Sequence, residues 1–376
     1  MKKFDKERAL LAVAGPVIAL VAAILLTSIV LVASGKNPFE PYRLMIEQAT
    51  FSDVQVLIVN QASMYYLAAL AVAVGFRMNL FNIGVDGQYR LAAMVTAVVG
   101  AHLALPSFLQ VPLLLLVAVL TGAFWAGIAG ILKTTRGVSE VVATIMLNSI
   151  ATSLIGYLTL SDVWGVQVGN NMTTGEMKES GWVPGIGMGS DAGEIYGLVF
   201  LAVIAGVLYW LVLNRTRFGF DLRATGASET AAAASGVDAK KMVLTAMLIS
   251  GGVAGLSGLP LLLGDAHTYS LSFPTGLGFT GITIALLGRN NPVGIAFAAL
   301  LVAFLDKASP ALDYAVPVAY EKEIATIMQG LIVFAVVISY EAVRQWGLRR
   351  QQKRVGAELA AEAARTNNSI KKEVAV

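Results

Sequence analysis

Cysteine is absent from this chain, and only two histidines occur, His102 and His267. The first absence excludes a disulfide framework and any thiolate metal site. Two histidines so far apart in sequence give no imidazole metal centre either. Charge is scarce: Asp, Glu, Lys and Arg make up 14% of 376 residues, against about 25% in soluble domains. With 56% hydrophobic residues and a mean hydropathy of +0.71, the composition is that of an integral membrane protein. A G-x-x-x-x-G-K-[ST] phosphate loop is missing, so ATP is not bound in that way and no cofactor is expected on this chain. Gly276-Leu277-Gly278-Phe279-Thr280-Gly281 matches G-x-G-x-x-G by letter. It lies in membrane-embedded sequence, however, and not between a strand and a helix as a dinucleotide site requires. No serine, histidine and acid stand at a spacing suited to hydrolysis, so an intramembrane enzyme lacks its paired groups. Acids inside the apolar runs are also few, Asp86 being the clear one. A stand-alone carrier or channel driven by protons or sodium would carry more of them. Energy for any transport must come from another chain.

What is present is a series of apolar runs. Spans of about 20 residues fall at roughly 9–33, 54–75, 82–103, 109–132, 138–160, 195–213, 242–263, 276–288, 292–306 and 323–342. The first is too long for a signal peptide. The eighth is too short to cross comfortably and begins with glycines, as a half-helix or re-entrant piece would. The expected fold is therefore an all-α polytopic membrane protein of about ten transmembrane helices. Placing the N-terminus inside puts 21 of the 27 Lys and Arg residues on the cytoplasmic side, as the positive-inside rule asks. Both termini then lie inside. The expected organisation is a permease domain at 1–345 and a cytoplasmic tail at 346–376, whose Arg349, Arg350, Lys353 and Arg354 would meet anionic lipid. Nothing in this charge placement implies a nucleic-acid partner. The long outer connection, 161–194, is expected to cover the outer mouth or meet an external partner.

One stretch gives up apolar burial for chemistry: Phe81-Asn82-Ile83-Gly84-Val85-Asp86-Gly87-Gln88, with Arg90 one helical turn beyond Asp86. The acid-first i,i+4 order favours a structural Asp86–Arg90 ion pair holding a broken helix. The loop 214–241 predicts a short helix over Glu229–Ser235, with Ser228 as N-cap and Gly236 as its stop. Its small side chains suit docking into a partner's cleft. Ser250, Ala254 and Gly258, and likewise Gly251 and Gly255, repeat at four-residue spacing, which favours close helix packing.

These motifs together resemble the permeases of ATP-binding cassette importers of the ribose, branched-chain amino acid and nucleoside group. Phe81–Gln88 is similar to that family's F-N-I-G-x-E-G-Q, with Asp86 for the usual glutamate. Thr216–Val237 resembles its coupling segment, and Gly278–Ile282 with Ala285–Pro292 its late motif, Thr280 standing where an acid is commoner. Ser139–Asn148 resembles the nucleoside branch. The resemblance implies a nucleoside importer permease, with pentoses or other monosaccharides as the alternative solutes. The implied partners are an ATP-binding cassette ATPase, a second permease subunit in a heterodimer and an extracytoplasmic solute-binding protein, with a bacterial plasma membrane as the location. The implied coupling residues are Arg223, Gly226, Glu229, Ala231, Ala232 and Gly236. Polar residues within the spans suit a neutral polar solute, and Asn60, Gln61, Tyr65, Asn82, Asp86, Gln88 and Asn148 are the pathway candidates.

Overall fold

The computed structural model describes residues 35–189 and 191–312, together with 24–33 and scattered positions in 18–22 and 326–338. The chain divides into two compact units, Tyr42–Lys322 and a unit made of Met1–Pro41 and Glu323–Val376. In the latter, Ile24–Ala33 is an apolar helix. The tail, both chain ends and most of the expected span 323–342 lie outside the described residues.

The larger unit is built on helix α1, Ser52–Phe76. Its Ala-, Val- and Leu-rich sequence has no polar face, and such a helix belongs in an interior. From Asn60 to Gly75 every residue except Tyr66 is buried. The helices that follow are α2 (Val85–His102), α3 (Ser107–Arg136), α4 (Glu140–Leu158), α5 (Val199–Arg215), α6 (Arg217–Ala227), α7 (Glu229–Ala234), α8 (Ala239–Gly255), α9 (Leu277–Leu287) and α10 (Pro292–Ala308). Beyond α8 the chain continues through Leu259–Leu261 and a π turn, Leu262–Ala266. Among the described residues, five helical spans are long and apolar enough to cross a membrane, or six with α5 and α6 taken as one span bent by 71°.

Two packing features set the framework. Gly251 and Gly255 of α8 lie against Ala118 and Gly122 of α3, so closely that a Cβ on Gly122, Gly251 or Gly255 would strike opposing backbone. This is the small-residue seam that the four-residue spacing predicts. The second feature is α9. Eleven residues make about 16 Å of helix, roughly half the hydrocarbon thickness. Gly281 packs on Ala68 of α1, and Arg77 Nη2, just past the end of α1, donates to Asn290 O at 2.7 Å. The helix α9 therefore runs alongside α1 in the same direction, and its N-terminus is buried near the mid-length of α1. The chain reaches that point through residues 267–276, which dip inward with Tyr269 and Phe273 buried. The expected short segment is a half-helix that starts inside the protein.

Two faces result. One gathers residues 77–80, 137–139, 214–238 and 288–291 and is rich in arginine, with Arg77, Arg215, Arg217, Arg223 and Arg289. The opposite face carries the 159–198 connection, which the all-α expectation left without regular structure. It forms two small antiparallel hairpins, β1 (Val166–Val168) with β2 (Asn171–Thr173) and β3 (Ile186–Gly187) with β4 (Glu194–Ile195). Backbone bonds from Thr174 N to Tyr269 O (3.0 Å), Met177 N to His267 O (2.8 Å) and Lys178 N to Gly100 O (3.0 Å) pin it to the helix ends.

Candidate functional site

The stretch between α1 and α2 climbs from the basic face toward mid-depth without helical hydrogen bonds. Backbone polar groups at that depth must find partners within the protein, and the motif's side chains supply them. Asn82 and Gln88 exchange two amide bonds of 2.9 Å each, and Asn82 Oδ1 also accepts from Gly84 N at 3.1 Å. Asn82 Nδ2 donates to Ser250 Oγ (2.8 Å), which in turn donates to Ala71 O of α1 (2.7 Å). Asn148 of α4 clamps the same stretch from the other side. Its Nδ2 donates to Ile83 O at 2.9 Å, and its Oδ1 accepts from Gly87 N at 2.8 Å. Lower down, Glu140 Oε1 accepts from Phe81 N at 3.5 Å while Oε2 pairs with Lys133 Nζ at 2.5 Å. This buried acid at the α3–α4 elbow was not among the sequence candidates.

Asp86 and Arg90 do not form the expected ion pair. Asp86 Oδ1 accepts from Gly276 N at 2.7 Å, at the start of α9. A Cβ on Gly278 would sit 2.5 Å from Asp86 N, so only glycine permits this approach. The half-helix N-terminus carries a partial positive charge and unsatisfied N–H groups, and that demand outcompetes the local i,i+4 partner. Arg90 turns the other way, and Nη1 donates to Thr152 Oγ1 of α4 at 3.1 Å. The N-terminus of α2 and that of the half-helix α9 are thus joined by one carboxylate.

The other candidates divide. Asn60 is occupied at the hairpin face, donating to Glu194 O (3.0 Å) and accepting from Tyr196 N (2.8 Å). Tyr65 reaches Asp306 Oδ2 of α10 at 3.4 Å, with Gln61 and Thr280 in reach of the same hydroxyl. Asp306 is an acid within a span that sequence reading passed over, because it adjoins Lys307 near a helix end. On α4, Ser149, Thr152 and Ser153 are exposed on the face opposite the buried Ala143, Leu147, Ala151 and Ile155.

At the basic face the coupling loop is more ordered than expected. The short helix α7 ends at Ala234, with Ser228 Oγ accepting from Ala231 N at 3.2 Å and Gly236 at φ +84. Before it stands α6, which sequence reading left as loop. Thr216 caps it by accepting from Gly219 N at 3.2 Å. The coupling candidates fall into two groups. Glu229, Ala231 and Gly236 are exposed, whereas Ala232 is 3% exposed and faces this chain's own interior, not a partner. Arg223 donates to Leu213 O at the end of α5. Gly226 lies directly on the backbone of Met78, and Asn79 Nδ2 donates to Gly226 O at 2.7 Å. The loop is therefore bonded directly to the stretch that leads to Asn82 and Asp86.

At the hairpin face, His267 stacks on Trp182 with centroids 4.0 Å apart and an interplanar angle of 12°. Burial holds its imidazole below the ordinary range, against the opposing pull of Asp265 and Glu176. Burial, with the charge of Asp265 added, pushes the Tyr196 hydroxyl up to about 12.

This arrangement has no reacting group within it. It is a set of hydrogen-bonded joints linking an exposed loop to broken helices in the membrane, which suits the movement of a solute. The family model for the branched-chain amino acid transport system permease component matches residues 55–337. Among curated relatives, a guanosine ABC transporter permease protein (NupP) of Bacillus subtilis is 32% identical over 86% of this chain and 93% of its own length. A glucose ABC transporter permease protein (TsgB13) of Haloferax volcanii is 31% identical over 88% of each. A nucleoside ABC transporter permease protein (NupB) of Lactococcus lactis is 30% identical over 86% of this chain and 90% of its own. With more than two thirds of its length matched, the chain belongs to the permease components of the branched-chain amino acid transport family, multi-pass membrane subunits that are not themselves enzymes.

Proposed function

We propose that this permease forms the membrane path of an ATP-driven importer for nucleosides. The observation that carries the reading is its likeness, over nearly its whole length, to permeases named for guanosine and nucleosides. The site supports a neutral solute, because the positive end of α9 is already occupied by Asp86. The partners are an ATP-binding cassette ATPase docking at α7, a second and different permease subunit, and an external solute-binding protein. No cofactor sits on this chain, and ATP is bound by the ATPase. About ten spans with both termini in the cytoplasm, in a bacterial plasma membrane, complete the arrangement. A second reading, a monosaccharide importer, is favoured by the glucose permease relative.

The experiment is uptake into proteoliposomes holding the full assembly, with labelled guanosine competed by nucleosides, ribose and glucose. ATP-dependent uptake competed by nucleosides alone is expected. Competition by sugars alone selects the second reading, and uptake by this chain without nucleotide hydrolysis overturns both. Single cysteines test the orientation on a chain that has none of its own. A cysteine at Ser228 should resist an impermeant reagent applied to intact cells, and labelling from outside would invert the topology.

A further inference from the structure

Arg90 leaves a buried cation at mid-depth whose bonding is incomplete. The inference drawn from it rests on the permease reading and adds which groups meet the solute. Arg90 is 7% exposed. Its Nη1 is used on Thr152, but Nε is buried with no hydrogen-bond partner. The Tyr269 hydroxyl lies beside the guanidinium, 0% exposed and also without a well-formed hydrogen bond. Asp86 is engaged at Gly276 and does not complete the set. Buried unpaired donors are strongly unfavourable, and an ionisable group within a membrane marks a site more often than a filler. The cluster is also open on one side. Thr152 stands on the exposed face of α4 with Ser149 and Ser153; its hydroxyl accepts from Arg90 and donates to Asn148 O at 3.1 Å, whereas lipid would leave the two serine hydroxyls unpaired. Arg90 thus reaches across the α2–α4 contact to hydroxyls on an exposed face of α4 that they share with Ile145, Met146 and Ile150.

We propose that Arg90, Tyr269 and the hydroxyl face of α4 hold the solute at mid-membrane, and that they favour solutes presenting acceptor atoms on one edge. A guanidinium only donates, and it does so through a planar fork. The O6 and N7 edge of guanine or hypoxanthine gives that fork two acceptors, and a uracil carbonyl gives it one with no opposing donor. Adenine sets an amino group beside N7 and so turns an N–H toward an N–H. Guanosine and inosine should therefore be preferred over adenosine. Sugar hydroxyls can donate or accept, and the cluster should not discriminate among them.

The test measures KM and maximal uptake for guanosine, adenosine and ribose in proteoliposomes holding the full assembly. The variants are Arg90→Gln, Arg90→Lys, Thr152→Val and Tyr269→Phe, each checked for ATPase co-purification. Arg90→Gln is expected to raise the guanosine KM about five- to a hundred-fold, the range for a lost bidentate contact, and the adenosine KM far less. Arg90→Lys keeps the charge but not the fork, and it should lose the guanosine preference as well. Should the Arg90 variants fail to assemble, Thr152→Val, on the exposed face, decides the matter through a guanosine KM raised several-fold with adenosine little changed. The proposal is overturned by a guanosine-to-adenosine KM ratio that stays unchanged in every variant that assembles. It is equally overturned by an unsubstituted assembly that prefers adenosine. If the unsubstituted assembly moves a sugar and no nucleoside, the nucleoside reading fails by itself. Arg90 is then judged on that sugar: a raised KM in Arg90→Gln or Thr152→Val supports the contact, and an unchanged KM removes it.

Discussion

Helices α1 and α4 carry similar polar side chains into the membrane and use them in opposite ways. On α1, Asn60, Gln61, Ser63 and Tyr65 are all buried. Asn60 is committed to β4, and Ser63 Oγ donates to Asn60 O of its own helix at 2.7 Å. On α4 the buried face is apolar apart from Glu140 and Thr144, while Ser149 and Ser153 are exposed and Thr152, also exposed, is met from within the chain by Arg90 and Asn148 O. An amide or hydroxyl in an apolar run therefore does not by itself mark a pathway; the direction it faces decides. Polar groups enclosed on every side join elements together, whereas polar groups exposed on a spanning helix need a polar counterpart from outside the chain.

The sharpest way to break this comparison is to add volume to the α1 interior. In Gly281→Val the new Cβ would lie 2.9 Å from the Ala68 carbonyl carbon. Overpacking of this kind costs about 1–3 kcal/mol and sometimes more, here against backbone. The folded yield by size exclusion should collapse, while Ser149→Val on α4 should leave it intact. Equal yields would mean that α9 does not pack on α1 as described.

Next in size is the motif's amide. Asn82→Ala leaves the Gln88 side chain and the Gly84 N–H without a partner, and Ser250 with Ala71 O alone. Each orphaned buried group costs about 1–3 kcal/mol, although membrane hydrogen bonds often fall near the lower end. A loss of about 2 kcal/mol is expected as a lowered Tm in detergent, against no more than about 0.5 kcal/mol for Ser153→Ala. Matching losses would erase the distinction between enclosed and exposed polar groups.

A smaller pair applies the same question of direction to α7. Ala233 is exposed and Ala232 buried. Ala233→Trp should reduce ATPase co-purification with little change in Tm. Ala232→Trp should lower Tm first, by about 1–3 kcal/mol. The reverse order would place the docking surface on the other side of α7.

The least effect is expected at His267. Its folded pKa lies below the unfolded value near 6.5, so the unfolded chain binds the proton more readily. Its contribution to stability is complete above about pH 6.5 and declines as pH falls through the folded value. His267→Phe keeps a ring on Trp182 and removes the titration. A Tm series from pH 7.5 to 5 should fall less steeply in that variant, and parallel series would dismiss the imidazole.

Much of this was legible in the sequence because it is local. The five or six spans of the described residues follow from apolar run length, the half-helix from Gly276, Gly278 and Gly281, and α7 from Ser228 and Gly236. What was missed is non-local or borderline. The periodicity that sets Asp86 and Arg90 on one face cannot reveal that the N-terminus of α9, 190 residues away from Asp86, competes for the carboxylate. Helix α6 was hidden by Arg215, Thr216 and Arg217, a polar run that reads as loop. Its 71° bend from α5 lays it across the basic face, where Phe220 stays exposed. Ala231 and Ala232 look alike in sequence, and only the helix phase tells their faces apart.

The placement of Asp86 and Arg90 has an electrical consequence. The two charges are opposite in sign and ride on the same helix one turn apart, whether or not they touch. Any displacement of α2 carries both through the transmembrane field together, and their work terms nearly cancel. One unbalanced charge crossing the field would be worth about 2.3 kcal/mol per 100 mV, enough to bias a transport cycle strongly. A path whose central helix moves no net charge, and whose solute carries none, is free to cycle at a rate indifferent to the cell's resting voltage. Uptake measured under imposed potassium diffusion potentials of either sign should therefore trace a flat line.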